Sequence, residues 1–176
     1  GMTIMATIPI SPIQLEFDQK KDRLKAANRS LNQELLLANS HPTDLSVEAI
    51  RSLRTSVHFN LLEAKNNIIL LSSGGAEVGK SFVSANLCEV LAKSGQKVLL
   101  VDADLRRGYL HRRFALKLGA GLSDYLQGVV PSEDVVRKTD NPDLDFVSRG
   151  AIPSNPSELL MNIKFKTFIE HASKDY

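Results

Sequence analysis

With 176 residues, 43% of them hydrophobic, the chain is long enough for one domain with a real core and too apolar for a disordered one. Its 22 basic and 20 acidic residues leave a net charge of +2, without the basic excess that marks nucleic-acid binders. One cysteine, Cys88, excludes an internal disulfide and reads most simply as a reducing cytosol; the four histidines show no metal-ligand spacing. No apolar run approaches the ~20 residues that span a bilayer, and residues 1–10 lack the charged start and apolar stretch of a signal peptide.

The first segment, Met5 to Ile10, is apolar and closes in Pro9-Ile10-Ser11-Pro12, which predicts an extended lead-in or an edge strand. Residues 20–29 carry Lys20, Lys21, Arg23, Lys25 and Arg29. They read as a linker or a helix near an anionic membrane surface, with a solvated face as the simpler account. A long helix is predicted over residues 43–64, because Ile50, Leu53, Val57 and Leu61 recur at helical spacing. Thr43 or Asp44 would cap it, and His41-Pro42 blocks extension backward.

Residues 67–72, Asn-Ile-Ile-Leu-Leu-Ser, predict a buried strand. A glycine-rich turn over 73–79 follows, then a helix over 81–94 closed by Gly95. Residues 97–102 predict a second buried strand and residues 144–148 a third, weaker one. Short helices are expected over 111–116, 123–126 and 132–138. A final helix opens with Asn155 at the cap, Pro156 at the first position and Glu158 at the third. It continues through Leu159, Leu160, Ile163, Phe168 and Ile169. Strands alternating with helices predict an α/β fold with a mostly parallel sheet flanked by helices, ligands sitting at the carboxyl ends of the strands.

Gly74-Gly75-Ala76-Glu77-Val78-Gly79-Lys80-Ser81 matches G-x-x-x-x-G-K-[ST] in full, between a predicted strand and a predicted helix. Glycines let successive N–H groups turn toward phosphate oxygens, and the helix start adds its positive end. Lys80 would reach the β- and γ-phosphates of ATP, and the Ser81 hydroxyl would take a Mg²⁺ position; Phe82 completes the predicted nucleotide contact set. The alternative is a glycine-rich turn with a surface lysine.

The second constellation is Val98-Leu99-Leu100-Val101-Asp102-Ala103-Asp104-Leu105-Arg106. Asp102 and Asp104 would hold Mg²⁺, and one would accept a proton from an attacking hydroxyl. Asp102 is assigned as the base within the metal shell and Asp104 as its support. Arg106 would offset charge on the transferring phosphoryl group. Taken alone, the two carboxylates fit a loop cap or pairing with Arg106 and Arg107 equally well. The third constellation, Glu48, Arg51 and Arg54, steps along the predicted helix at i, i+3 and i+6, as intrahelical ion pairs on a wet face also would.

Together these residues resemble the bacterial P-loop tyrosine kinases of capsule and exopolysaccharide export. That family joins a Walker A loop to an apolar strand ending D-x-D-x-R, matched by Asp102, Asp104 and Arg106. Its E-x-x-R-x-x-R helix, matched by Glu48, Arg51 and Arg54, joins neighbouring subunits into a ring. The stretch from Arg149 to Leu160 resembles the family's R-G-x-x-P-P-N-P-x-E-L-L, with Ser154 in place of the second proline. The resemblance implies a protein-tyrosine autokinase using ATP and Mg²⁺ and yielding ADP. It further implies a parent anchored in the bacterial inner membrane with this part on the cytoplasmic face. Implied partners are itself, the tyrosine-rich tail of a neighbouring subunit and the polysaccharide export machinery. Tyr109 matches an internal tyrosine that some members phosphorylate; a ring packed against the motif loop is the equal alternative.

On this resemblance residues 1–40 form a lead-in and basic linker after a transmembrane segment. Residues 41–176 form the N-terminal portion of a P-loop NTPase-like kinase domain. The family's third nucleotide motif, a buried strand ending in a metal-binding aspartate, normally follows a segment like Ala172 to Tyr176. The fold is therefore expected to be incomplete at its C-terminal side, with weak nucleotide binding and little kinase activity. Two rivals stand beside the kinase: a partitioning-type P-loop ATPase, weakened because Gly75 holds the place of that group's signature lysine, and a non-catalytic ring-forming module.

Overall fold

The structure is a computed structural model and describes residues 4–17, 19, 36–75 and 78–176. The basic residues 20–29 and the loop residues Ala76 and Glu77 lie outside the described residues.

Residues 4–11 are extended, and Pro12 opens a helical segment over 12–17. Ser11 Oγ donates to Asp44 Oδ2 at 2.8 Å, tying this lead-in to the start of a long helix. A four-residue helix, α1 (Leu37–Ser40), precedes that helix, α2 (Leu45–Leu62). Of the two predicted caps Asp44 is the one used: its Oδ1 accepts from the Ser46 amide at 2.8 Å. Val47 and Ile50 of α2 join Leu37, Ala38, Leu87 and Val90 in one apolar cluster, and Ile8, Ile13 and Phe17 of the lead-in pack against it.

Helix α3 (Lys80–Lys93) follows the glycine-rich loop and leads through a short turn into β1 (Val98–Val101). After β1 come a 3-10 turn at Leu110–Phe114, the short α4 (Leu122–Leu126) and a second 3-10 turn at Ser132–Asp134. Strands β2 (Val136–Lys138) and β3 (Leu144–Val147) complete a three-stranded sheet of order β1-β3-β2. β3 pairs parallel to β1, with Val98 opposite Leu144 and Val101 opposite Val147, and antiparallel to β2. Helices α5 (Pro156–Met161) and α6 (Ile163–Asp175) follow.

The sheet is covered on both faces, which explains why β1 is an unbroken apolar run and why β3 is apolar apart from Asp145. Leu100, Leu144 and Phe146 point into a cluster with Ala85, Cys88 and Ala92 of α3. Val147, with Leu99 and Val101, faces Leu122, Leu126, Leu159 and Phe168 on the other side. Complete burial of a Phe such as Phe146 contributes roughly 1.5–3 kcal/mol.

Four expectations are corrected. The predicted strand over 67–72 is not part of the sheet; residues 68–73 have no regular structure. Ile68, Ile69 and Leu70 are 43%, 39% and 85% exposed. A strand exists only beside another that shares its backbone hydrogen bonds, and none of the described strands lies alongside. The segment is held by side chains instead: Asn67 Nδ2 donates to the carbonyls of Ser173 and Tyr176 at 2.9 and 2.6 Å. The predicted helix over 132–138 becomes a 3-10 turn and strand β2, because Val136, Arg137 and Lys138 pair with Val147, Phe146 and Asp145. The last helix breaks in two at Asn162, whose side chain accepts from the Lys164 amide at 2.9 Å and caps α6. The sheet is mixed, with one parallel and one antiparallel pairing.

Candidate nucleotide site

Glycines open the loop and one glycine ends it. Ser73 Oγ donates to the Gly75 carbonyl at 2.8 Å. Gly79, at φ 86°, sits in the left-handed region where a side chain is strained, and it directly precedes α3. Its carbonyl accepts the amide of Val83 at 2.9 Å, the first bond of the helix. No side chain caps this end. The amides of the first turn have no acceptor within the helix, and the helix dipole adds positive potential, so an anion is favoured there. Lys80 is half-buried at the first helical position, and Ser81 beside it is exposed. Phe82 is half-buried and packs against the cluster between α2 and α3, so its ring serves the core.

Helix α3 packs on β1 after a tight turn, so the two run antiparallel. The start of α3 and the end of β1 therefore lie toward the same edge of the sheet. Asp102 and Asp104 follow β1 directly. Asp102 is buried, and its amide donates to the Val147 carbonyl at 2.9 Å, extending the β1–β3 pairing. Its Oδ1 accepts from the Asp104 amide at 3.3 Å and its Oδ2 from the Leu110 amide at 3.1 Å. Burial pushes its carboxyl up to about 6; the two amides and the charge of Arg149 pull the other way, and Asp104 adds to the rise.

Asp104 is exposed, and its Oδ1 accepts from the Arg107 amide at 2.9 Å. Arg106 and Arg107 are exposed on the same loop. The donors suit Mg²⁺, a hard cation that takes oxygen ligands. Each Asp102 oxygen has one of its two lone pairs engaged by an amide, and the Ser81 hydroxyl and Asp104 carboxylate are open to solvent.

Two residues without an assigned role hold this loop. Arg149 is buried at the end of β3; its Nε donates to the Gly108 carbonyl at 2.9 Å and its Nη1 to the Gly150 carbonyl at 2.8 Å. Gly108 is buried against the Asp102 carboxylate. The signal for Arg149 was present in the chain: an arginine directly after a buried strand, within the stretch that carries the family resemblance. Gly108 had no such signal, since its contact is tertiary.

Tyr109 is 53% exposed, with the Arg112 guanidinium 4.6 Å from its ring centroid. Glu48 and Arg51 form an ion pair on α2, Glu48 exposed, with Arg54 half-buried one turn further along. This helix face is separate in the chain from the loop at Gly79 and the loop at Asp102. Among the described residues no helix is long and apolar enough to cross a membrane.

Residues 69–139 match a family model described as the CobQ/CobB/MinD/ParA nucleotide binding domain. A putative tyrosine-protein kinase in the cps region of Klebsiella pneumoniae is 42% identical over 178 residues, covering the whole of this chain and 24% of that protein. The chain thus spans about a quarter of the length of the curated relatives it matches. Among solved structures, the BceF tyrosine kinase domain superposes with a TM-score of 0.90 at 39% identity, covering 99% of this chain and 68% of that one. The kinase domain of the Escherichia coli tyrosine kinase ETK gives a TM-score of 0.86 at 41% identity, covering 100% and 67%. A glycine-rich loop at the start of α3, in a chain that matches two thirds of each of these two kinase domains, places the protein in the family of bacterial tyrosine kinases with a P-loop domain.

Proposed function

We propose that the chain is the nucleotide-binding part of an ATP-dependent protein-tyrosine kinase that regulates capsular or exopolysaccharide synthesis and export. The carrying observation is the placement of the uncapped, glycine-led start of α3 and the Asp102–Asp104 loop toward one edge of the sheet. In this reading the amides from Gly74 to Phe82 and the Lys80 ammonium hold the phosphates of ATP. Ser81, Asp102 and Asp104 hold Mg²⁺, which offsets phosphate charge when bound.

A tyrosine hydroxyl attacks the γ-phosphorus. The new O–P bond forms as the bond to the β–γ bridging oxygen breaks and ADP departs. Asp102, buried at the end of β1, takes the hydroxyl proton. Arg106, exposed on the same loop, offsets charge on the phosphoryl group.

The polysaccharide context rests on the capsule-region relative. The same reading makes Tyr109 an acceptor and the tyrosine-rich tail of a neighbouring subunit a substrate. It assigns Glu48, Arg51 and Arg54 to a ring-like self-assembly, places residues 1–40 as the lead-in from a membrane anchor at the cytoplasmic face, and names the export machinery as a partner. Asp102→Asn in the full-length protein tests the reaction: phosphotyrosine should disappear, and its survival would reject the assignment. Replacing Arg51 and Arg54 by alanine tests the assembly: unchanged oligomer size would reject the interface.

A further inference from the structure

Helix α4 is too short to be stable by itself, and its first turn is fastened to the segment that follows β3. The amides of Leu122 and Ser123 donate to the carbonyls of Ser148 and Arg149 at 2.8 and 3.0 Å. Ser123 Oγ donates to the Ala151 carbonyl at 2.6 Å. Asp124 closes the junction: one oxygen, Oδ2, accepts both the Gly121 amide at 2.9 Å and the Ala151 amide at 3.2 Å. A single carboxylate oxygen thus clamps residue 121 to residue 151, two positions after Arg149.

Arg149 passes the constraint on. Its guanidinium, buried, bridges the carbonyls of Gly108 and Gly150. Gly108 in turn lies against the Asp102 carboxylate, and the Leu110 amide two residues later binds Asp102 Oδ2. The connection therefore runs from Asp124 through residues 149–151 to Gly108 and then to Asp102. It reaches the loop that carries Asp104 and Arg106.

We propose that Asp124 is a positioning residue for phosphoryl transfer: through Arg149 it fixes the loop after β1 and thereby the placement of Asp102 and Asp104. This rests on the kinase reading above. Asp124 acts through this junction rather than through the glycine-rich loop, Lys80 and Ser81 that the kinase reading gives the phosphates, so its loss should slow the chemical step while leaving most of the nucleotide affinity in place. Asparagine keeps an amide oxygen where Oδ2 now accepts both N–H groups; alanine removes it.

The test compares Asp124→Ala and Asp124→Asn in the full-length protein by amide hydrogen exchange and by phosphotyrosine formation. Asp124→Ala should speed exchange at the Gly108 and Leu110 amides by about tenfold or more while the β1–β3 amides keep their protection. It should lower kcat by about 10- to 100-fold with the KM for ATP within about twofold, and Asp124→Asn should restore both readouts. If Asp124→Ala does not fold, Ser123→Ala, which removes the bond to the Ala151 carbonyl, should show the same pattern more weakly. Unchanged exchange at Gly108 and Leu110, or an unchanged kcat, would overturn the proposal. A parallel loss of protection in β1 and β3 would reduce Asp124 to a stabilising residue and also overturn it. A wild-type protein that forms no phosphotyrosine would instead overturn the kinase reading, and the positioning role with it, even where the exchange data show the clamp.

Discussion

A Cβ built on Gly108 would lie 2.5 Å from one carboxylate oxygen of Asp102, 2.6 Å from the other and 2.6 Å from the Asp104 carbonyl. Only glycine fits that space without displacing a buried carboxylate or backbone. Gly108→Ala should therefore cost about 1–3 kcal/mol of stability, as overpacking of a filled site does. Urea denaturation measures it, and a change below about 0.5 kcal/mol, typical of a surface position, would show that the loop is free to move away.

Asp102 also makes stability depend on pH. Its folded carboxyl is raised by burial to about 6, from an ordinary value of 3.8. Between those values the folded state binds more protons than the unfolded one, so stability falls as pH rises. The stabilisation is present in full below the unfolded pKa and is lost as pH passes the folded one. The loss for this group is on the order of 3 kcal/mol. Wild type and Asp102→Asn, compared by denaturant midpoints from pH 4 to 7, should diverge in that window, wild type losing ground as pH rises. Parallel curves would contradict the burial of an ionisable Asp102.

Asp44 behaves in the opposite way. Burial pushes its carboxyl up, but bonds from the Ser46 and Ser11 hydroxyls and the Ser46 amide outweigh this and hold it below its ordinary value. Its stabilising effect is thus present above the unfolded pKa and lost as pH falls through the folded one. Asp44→Ala removes both the cap of α2 and the tie to Ser11, and should cost about 0.5–2 kcal/mol at neutral pH. Denaturation of the two proteins at pH 7 provides the comparison; equal midpoints would mean that the cap contributes nothing.

The segment over 68–70 yields a prediction that its apolar sequence alone would not suggest. Leu70 is 85% exposed, so Leu70→Lys should change the stability of this chain by no more than about 0.5 kcal/mol. Exposed apolar backbone without a partner strand favours association, so the variant should also self-associate less at high concentration. A stability loss of about 2 kcal/mol or more, as for a buried leucine, would show that the segment is packed in solution.

These cases show what was legible in the chain. The glycine-rich loop is legible as a local spacing pattern, and the helix that follows begins at Lys80, one residue before the expected start. The Asp44 cap, β1 and α3 were readable for the same reason: short-range rules fix them. The segment over 67–72 misled because apolar residues signal a wish for burial, while pairing depends on which strand lies alongside. Val136 falls inside the predicted helix over 132–138, yet this β-branched residue, directly after Val135, opens β2. The break at Asn162 was hidden inside a helical apolar period that continues on both sides. The Arg149–Gly108 contact joins residues 41 apart in the chain, so no window of sequence contains it.

The central claim is that the loop ending in Lys80 serves phosphoryl transfer to tyrosine. It is tested most directly by transfer of labelled γ-phosphate from ATP to tyrosine, comparing wild type with Lys80→Met in the full-length protein. The account predicts labelled phosphotyrosine in the wild type and a loss of about 100-fold or more in the variant. Equal labelling of the two proteins, or labelled phosphate released without any phosphotyrosine, would contradict it.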